Sequence, residues 1–222
     1  MSNHYTTQQL ATFPWIVSTD TLRPEDLLPK FWAAAETCAV LLDRPQLLNP
    51  GTLASLTKLV GEDSSESDWD DNEASETLEE LFDALDDVAP SGFSFGSQEG
   101  DGTCFGFWLS EEWIEALEYC GWAADSDPAA LADVIRELEQ DGIDCDNFAD
   151  AYCGEAEGCT EEQAGQDYAQ ALFTDSGIRE ASYDGWPFSC IDWGQAWEEL
   201  RLSDGYRLHR ISGETWAVFR SV

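Results

Sequence analysis

The sequence predicts an α+β fold, mainly helical with short antiparallel hairpins, divided into two or three small subdomains. Three observations carry this. Apolar residues recur at helical spacing in several segments separated by Pro, Gly and Asx stops. Two pairs of aromatic-rich runs flank glycine-containing turns, which is the pattern of hairpins. The chain has 222 residues, 43% of them hydrophobic and 12% aromatic, with ten Trp. That length exceeds a typical single domain, and that composition supplies a sizeable core.

Taken in order, residues 1–60 read as helical and apolar. Pro24 and Pro29 mark breaks, Phe31 to Leu42 has helical composition, and Pro45 with the Asn49-Pro50-Gly51 turn ends it. A short helix is expected from Thr52 to Val60. Gly61 to Glu73 is rich in Ser and Asp and reads as an exposed linker. Ser75 then caps a helix running to about Val88, with Leu78, Leu81, Phe82 and Leu85 as its apolar stripe. Phe93–Phe95 and Phe105–Trp108 form a hairpin around Gly100-Asp101-Gly102. Ser110 caps a helix to Cys120 with Gly121 beyond its end, and Asp127 caps another, with Pro128 first and Asp141-Gly142 last. Shorter elements follow: helices at Asn147–Tyr152, Thr160–Phe173 and Ile191–Leu202, and a closing hairpin of Tyr206–Arg210 with Trp216–Arg220.

The charge is the outlier. Asp and Glu number 46 against ten Lys and Arg, a net of −36. A small soluble domain needs a magnitude of only about 2–8, and self-repulsion works against a compact state. Low hydrophobicity would be needed as well for the acidity to mean disorder. The charge is also confined. Residues 1–60 carry a net of −1 and residues 176–222 a net of −2, whereas residues 61–175 hold 34 acids and one base, Arg136. Acidity selected only for high salt would spread over the whole chain. Confinement to the middle points to a continuous acidic face for a basic partner.

The groups that carry catalysis are sparse. The two His, His4 and His209, have no nucleophile nearby in sequence, and GxSxG, P-loop and dinucleotide fingerprints are absent. Carboxylates are too many for an acid/base pair to be singled out. Seven Cys, at 38, 104, 120, 145, 153, 159 and 190, include no CxxC pair and read as reduced, small buried hydrophobes rather than zinc ligands. Asp68, Asp70, Asn72 and Glu79 fall at positions 1, 3, 5 and 12 of a calcium loop, but Glu73 stands where the sharp turn needs Gly. Asp144, Asp146 and Glu155 fit a second window that Phe148 and Ala149 spoil. No catalytic residue, metal or cofactor is expected. The N-terminus lacks the basic and apolar regions of a signal peptide, and no apolar run approaches the roughly 18 residues that span a bilayer. A cytoplasmic location, with the thiols reduced, is expected.

The stronger signal is an acidic ladder. Between Glu76 and Asp87 carboxylates recur every three or four residues, spacings that place neighbours about 5–6 Å apart on a helix. Phosphates advance by about 3.4 Å of axis per nucleotide on one strand of a duplex, and winding lengthens that step to a comparable distance. Like charges at these spacings destabilise a helix. A proteinaceous imitation of DNA gives such an array a use. The partner-binding residues expected on this ground are Asp68, Asp70, Asp71, Glu76, Glu79, Glu80, Asp83, Asp86 and Asp87. Glu111, Glu112, Glu115 and Glu118 continue them, then Glu155, Glu161 and Glu162.

The last third of the chain carries Phe148-Ala149-Asp150-Ala151-Tyr152 with Gly154-Glu155, then Gln166-Asp167-Tyr168-Ala169 with Leu172-Phe173. Ile191-Asp192-Trp193, Ala196-Trp197 and Leu200 follow, and last Gly205-Tyr206 with Val218-Phe219. In order and spacing these resemble the ArdA antirestriction family. The family's N-terminal Tyr-Asn-x-Gly region has no counterpart in residues 1–125. The resemblance implies a dimeric, cytoplasmic DNA mimic, carried by phages or mobile elements, that fills the DNA-binding groove of type I restriction–modification enzymes. The expected division is a helical segment at 1–60, an acidic helix–hairpin–helix module at 61–125 and an ArdA-like antirestriction domain at 126–222. The expected partner is a DNA-binding protein of a restriction or other defence system, bound without direct contact of this chain to nucleic acid or membrane. The alternative is an acidic adaptor that binds a basic or apolar partner without mimicry, through the aromatic hairpin.

Overall fold

Nine helices and two three-stranded antiparallel sheets make up the described residues, which in this computed structural model are 5–61, 69–122, 127–175 and 190–221. The architecture is α+β and mainly helical, as the periodicity predicts. The chain groups into two compact units, residues 1–111 with 126–133 and residues 112–125 with 134–222. These bounds differ from the three-way division expected, because the acidic helix and the aromatic hairpin share one core with residues 5–60.

The first unit contains α1 (Thr7–Leu10), β1 (Ile16–Ser18), α2 (Pro24–Leu41), α3 (Pro50–Val60), α4 (Asp71–Asp87), β2 (Phe93–Gln98) and β3 (Asp101–Leu109). Its sheet has the order β1-β3-β2. Phe31 of α2, Leu56 of α3, Leu81 and Leu85 of α4, and Phe107 of β3 are all at most 1% exposed and form the centre of the core. The Phe31 and Phe95 rings meet edge to face at 5.0 Å. Tyr5 donates its hydroxyl to the Val88 carbonyl at 2.6 Å, which ties the start of the described chain to the end of α4.

Four local expectations are corrected in this unit. Residues 1–60 include a strand, β1, which pairs with β3 where Gly106 lets the backbones approach; a Cβ there would lie 2.4 Å from the Trp15 carbonyl. Three residues are too few for a period-2 pattern to register. Pro24 opens α2 at its first turn, and Pro29 lies inside the helix rather than breaking it. Pro29 and Glu25, whose carbonyl loses its amide donor, are both exposed. Asn49-Pro50-Gly51 is a cap instead of a terminating turn: Asn49 accepts the Thr52 N–H at 2.9 Å and Pro50 begins α3. Asp70, not Ser75, caps α4, accepting the N–H groups of Asn72 and Glu73 at 3.0 and 2.9 Å. Ser75 instead donates its hydroxyl to the Asp71 carbonyl one turn back.

The second unit takes α5 (Glu111–Tyr119) from Glu112, the later part of α6 (Pro128–Gln140), then α7 (Phe148–Ala151), β4 (Tyr152–Glu157), α8 (Glu161–Asp175), α9 (Trp193–Ser203), β5 (Tyr206–Ser212) and β6 (Thr215–Arg220). Its sheet has the order β4-β6-β5, and Ala217, Val218 and Phe219 of the central strand are fully buried. The helix expected to run to Tyr152 stops at Ala151, and Tyr152 begins a strand. Alternation of exposed Cys153, Glu155 and Glu157 with buried Ala156 shows a strand with one wet face. Trp113, Trp122, Phe148 and Phe219 pack edge to face as one aromatic group. Tyr168, Trp197 and Tyr206 form a second. No described helix is long and apolar enough to cross a membrane.

Candidate functional site

On α4 the hydrogen-bond and ion-pair partners sort the carboxylates into three sets. Ala74, Thr77, Leu81 and Leu85 face the core, with Leu78 and Phe82 beside them. Carboxylates on the flanks of this stripe are engaged within the fold. Glu73 holds Lys58 and accepts the Ser55 hydroxyl at 2.9 Å, and these two partners, Lys58 first, keep its carboxyl below the usual range. Glu80 accepts the hydroxyl of buried Thr52 from α3. Asp86 accepts the Phe95 amide at 2.8 Å. At the cap, Asp70 serves the helix N-terminus and Asp71 accepts the Trp69 indole N–H at 2.9 Å.

The third set is the outward face. Glu76, Glu79 and Asp83 are exposed, stand at three- and four-residue steps, and take part in no ion pair among the described residues. Asp87 continues this line at the next turn and is also exposed. No Lys or Arg occurs anywhere between Asp71 and Asp87. Asp68 lies outside the described residues, and so does the start of the first calcium-like window.

Glu111, Glu115 and Glu118 are exposed along one side of α5, opposite buried Trp113, Ala116 and Leu117. Glu112, also exposed, approaches Cys145 together with Asp144 and Asp146; burial and then these charges push the Cys145 thiol up. Glu155 projects from the wet face of β4 near Cys120, whose thiol burial and this carboxylate raise to about 11. Glu161 and Glu162, in the first turn of α8, line a cleft of about 810 Å³ with Asp192 and Glu198. Its one base among the described residues, Arg201, is held by Glu198 at 3.1 Å. Asp192 and Glu198 are additions to the expected acidic residues. Their segment has almost balanced charge, so composition gave no reason to single them out.

The groups weighed for catalysis are placed as follows. His209 is 5% exposed, with Nε2 3.1 Å from Asp141 and Nδ1 3.5 Å from Glu137, distances of ion pairs without the alignment of hydrogen bonds. Its ring packs on Phe219 at 5.7 Å, as a core residue does. All seven thiols are free. Burial holds Cys38 at about 12, and the Glu214 carboxylate, which accepts from Cys159 at 2.8 Å, raises that thiol too. Raised thiols are poor nucleophiles and poor metal ligands at neutral pH. Among the described residues no group of three His, Cys, Asp or Glu is arranged to hold a metal ion.

In the aromatic hairpin Phe95 and Phe107 are 3% and 1% exposed, and the half-buried Phe93 and Phe105 pack against the same core. The motif residues Phe148, Ala151, Tyr168, Ala169, Trp197, Tyr206, Val218 and Phe219 are likewise buried, so they build the second unit and form no surface. No protein-family model, curated protein or solved structure matches the chain.

Proposed function

We propose that this chain is a non-catalytic acidic inhibitor that occupies the DNA-binding site of a host defence enzyme, with a type I restriction–modification enzyme as the expected target. The observation that carries this reading is the outward face of α4. Glu76, Glu79 and Asp83 repeat at helical steps with no compensating base on the helix, within a segment of 115 residues that holds only Arg136 as a base. Such repetition costs helix stability, and the fold meets its own structural needs with other carboxylates, Glu73, Glu80 and Asp86. DNA-binding enzymes hold phosphates through Lys and Arg whose contacts supply much of their affinity. A rigid row of carboxylates competes for those same side chains. The likeness of residues 148–220 to antirestriction proteins favours the same class of target, and it also brings in a homodimer as the expected assembly.

The alternative is an acidic adaptor for a basic partner without imitation of DNA. The two readings separate in one assay. DNA cleavage and methylation by a type I enzyme are followed with increasing amounts of the full chain at low salt. Mimicry predicts loss of both activities near stoichiometric addition, because both need the same DNA groove. Full activity at large excess excludes the restriction target.

A further inference from the structure

Outside the acidic arrays, the second unit has an apolar groove between α8 and α9. Its volume is about 470 Å³, within the roughly 300–1,000 Å³ of pockets that receive an organic group. Leu172 and Phe173 form one wall, and Trp193, Ala196 and Leu200 the other. The Phe173 and Trp193 rings meet edge to face at 5.6 Å, which fixes that end. Leu172 remains 37% exposed. The α9 wall rests on the buried core around Tyr168 and Trp197, so the groove has a firm floor. Its rim carries two carboxylates, Glu199 and Asp204, and no base lines it among the described residues.

We propose that this groove docks a basic segment of a protein partner, receiving one large apolar side chain while flanking Lys or Arg residues meet Glu199 and Asp204. Charge selects this occupant. A duplex offers neither a large apolar side chain nor positive charge, and a second copy docked face to face here would set its own Glu199 and Asp204 against the same two carboxylates. An apolar anchor seated in a pocket whose surrounding contacts exclude water is the usual arrangement of an interface hot spot, and the two rim carboxylates supply steering and selectivity. The inference rests on the reading that the partner is basic, but it uses residues separate from the α4 face.

The test uses the full chain and two synthetic peptides with the same Lys and Arg content, one with a central Trp and the other with Ala in its place. Binding is measured by calorimetry at low and physiological salt. The Trp peptide should bind about tenfold more tightly, a difference of about 1.4 kcal/mol, and this ratio should persist when salt weakens both. Ala196→Trp, which fills the groove, should bring the ratio to one while leaving the Ala peptide's affinity unchanged. Should Ala196→Trp fail to fold by circular dichroism, Leu172→Asp on the exposed wall answers the same question. Equal binding of the two peptides to wild type overturns the proposal, as does a preference that survives the filled groove. Self-association in sedimentation that Ala196→Trp abolishes assigns the groove to a second copy and overturns it as well. The Ala peptide reports the acidic reading alone, so failure of that reading and failure of the groove are seen separately.

Discussion

The carboxylate of Asp86 accepts the backbone N–H of Phe95 at 2.8 Å and joins the last turn of α4 to β2. An acid on the most negatively charged helix is thus part of the fold. Asp86→Ala leaves that amide without its charged acceptor and should lower stability by about 1–3 kcal/mol. Asp83→Ala, three residues earlier on the outward face, should stay within about 0.5 kcal/mol of wild type. Urea unfolding of the two variants checks the contrast.

Replacing Glu76, Glu79 and Asp83 together by Lys should leave the helix intact. Glu80 is kept because it accepts from Thr52. Each like-charge neighbour relieved should contribute about 0.2–0.5 kcal/mol, so the variant should melt at or above the wild-type temperature at low salt. Thermal unfolding by circular dichroism measures this, and a lower melting temperature counts against an outward face free of structural duty.

Gly165 packs against the indole of Trp197 so closely that a Cβ would lie 2.5 Å from its ring atoms. In an open helix Gly→Ala gains up to about 1 kcal/mol. Here the sign should reverse: Gly165→Ala should destabilise by about 1–3 kcal/mol through overpacking. In a Trp197→Leu background most of that cost should vanish, a coupling read from a double-mutant cycle.

Alkaline pH should weaken the first unit. Burial raises the Cys38 thiol from 9.0 to about 12 and raises the Tyr5 phenol as well. The native state keeps the thiol protonated after the unfolded chain has released its proton. The stability this contributes is therefore whole below about pH 9 and is lost progressively toward pH 12. The loss approaches about 1.4 kcal/mol per pH unit inside that window. Cys38→Ala removes the thiol, so its urea midpoint should fall less than that of wild type between pH 8 and 10.5. Equal slopes contradict the burial account.

Much of the fold was legible because its elements have clear periods and stops. The stripe of Leu81 and Leu85, the hairpin of Phe95 and Phe107, and the closing hairpin of Tyr206–Arg210 with Trp216–Arg220 follow from apolar spacing and turn residues alone. What was not legible depends on partners distant in sequence. β1 has three residues and exists through pairing with β3 at Gly106, which no local pattern encodes. Asp70 and Ser75 both precede or lie within the same apolar run, and only the backbone path decides which of them caps. The acidic surface was legible as a composition but not as a list of equals. Glu80 and Asp86 are given structural tasks by Thr52 and Phe95, residues 28 and nine positions away. The apolar groove depends on Phe173 of α8 meeting Trp193 of α9, while each alone reads as ordinary core.

The central claim is that the outward carboxylates of α4 compete with DNA for a DNA-binding protein. The most direct measurement is displacement of a fluorescent duplex from a type I restriction enzyme, followed by anisotropy as the full chain is added at two salt concentrations. Each exposed carboxylate should contribute only about 0.2–1 kcal/mol, so single Lys substitutions should shift the midpoint slightly. The account predicts stoichiometric displacement by wild type at low salt, weaker displacement at higher salt, and a loss of at least tenfold for the folded triple Lys variant. Displacement by that variant as efficient as by wild type would contradict it.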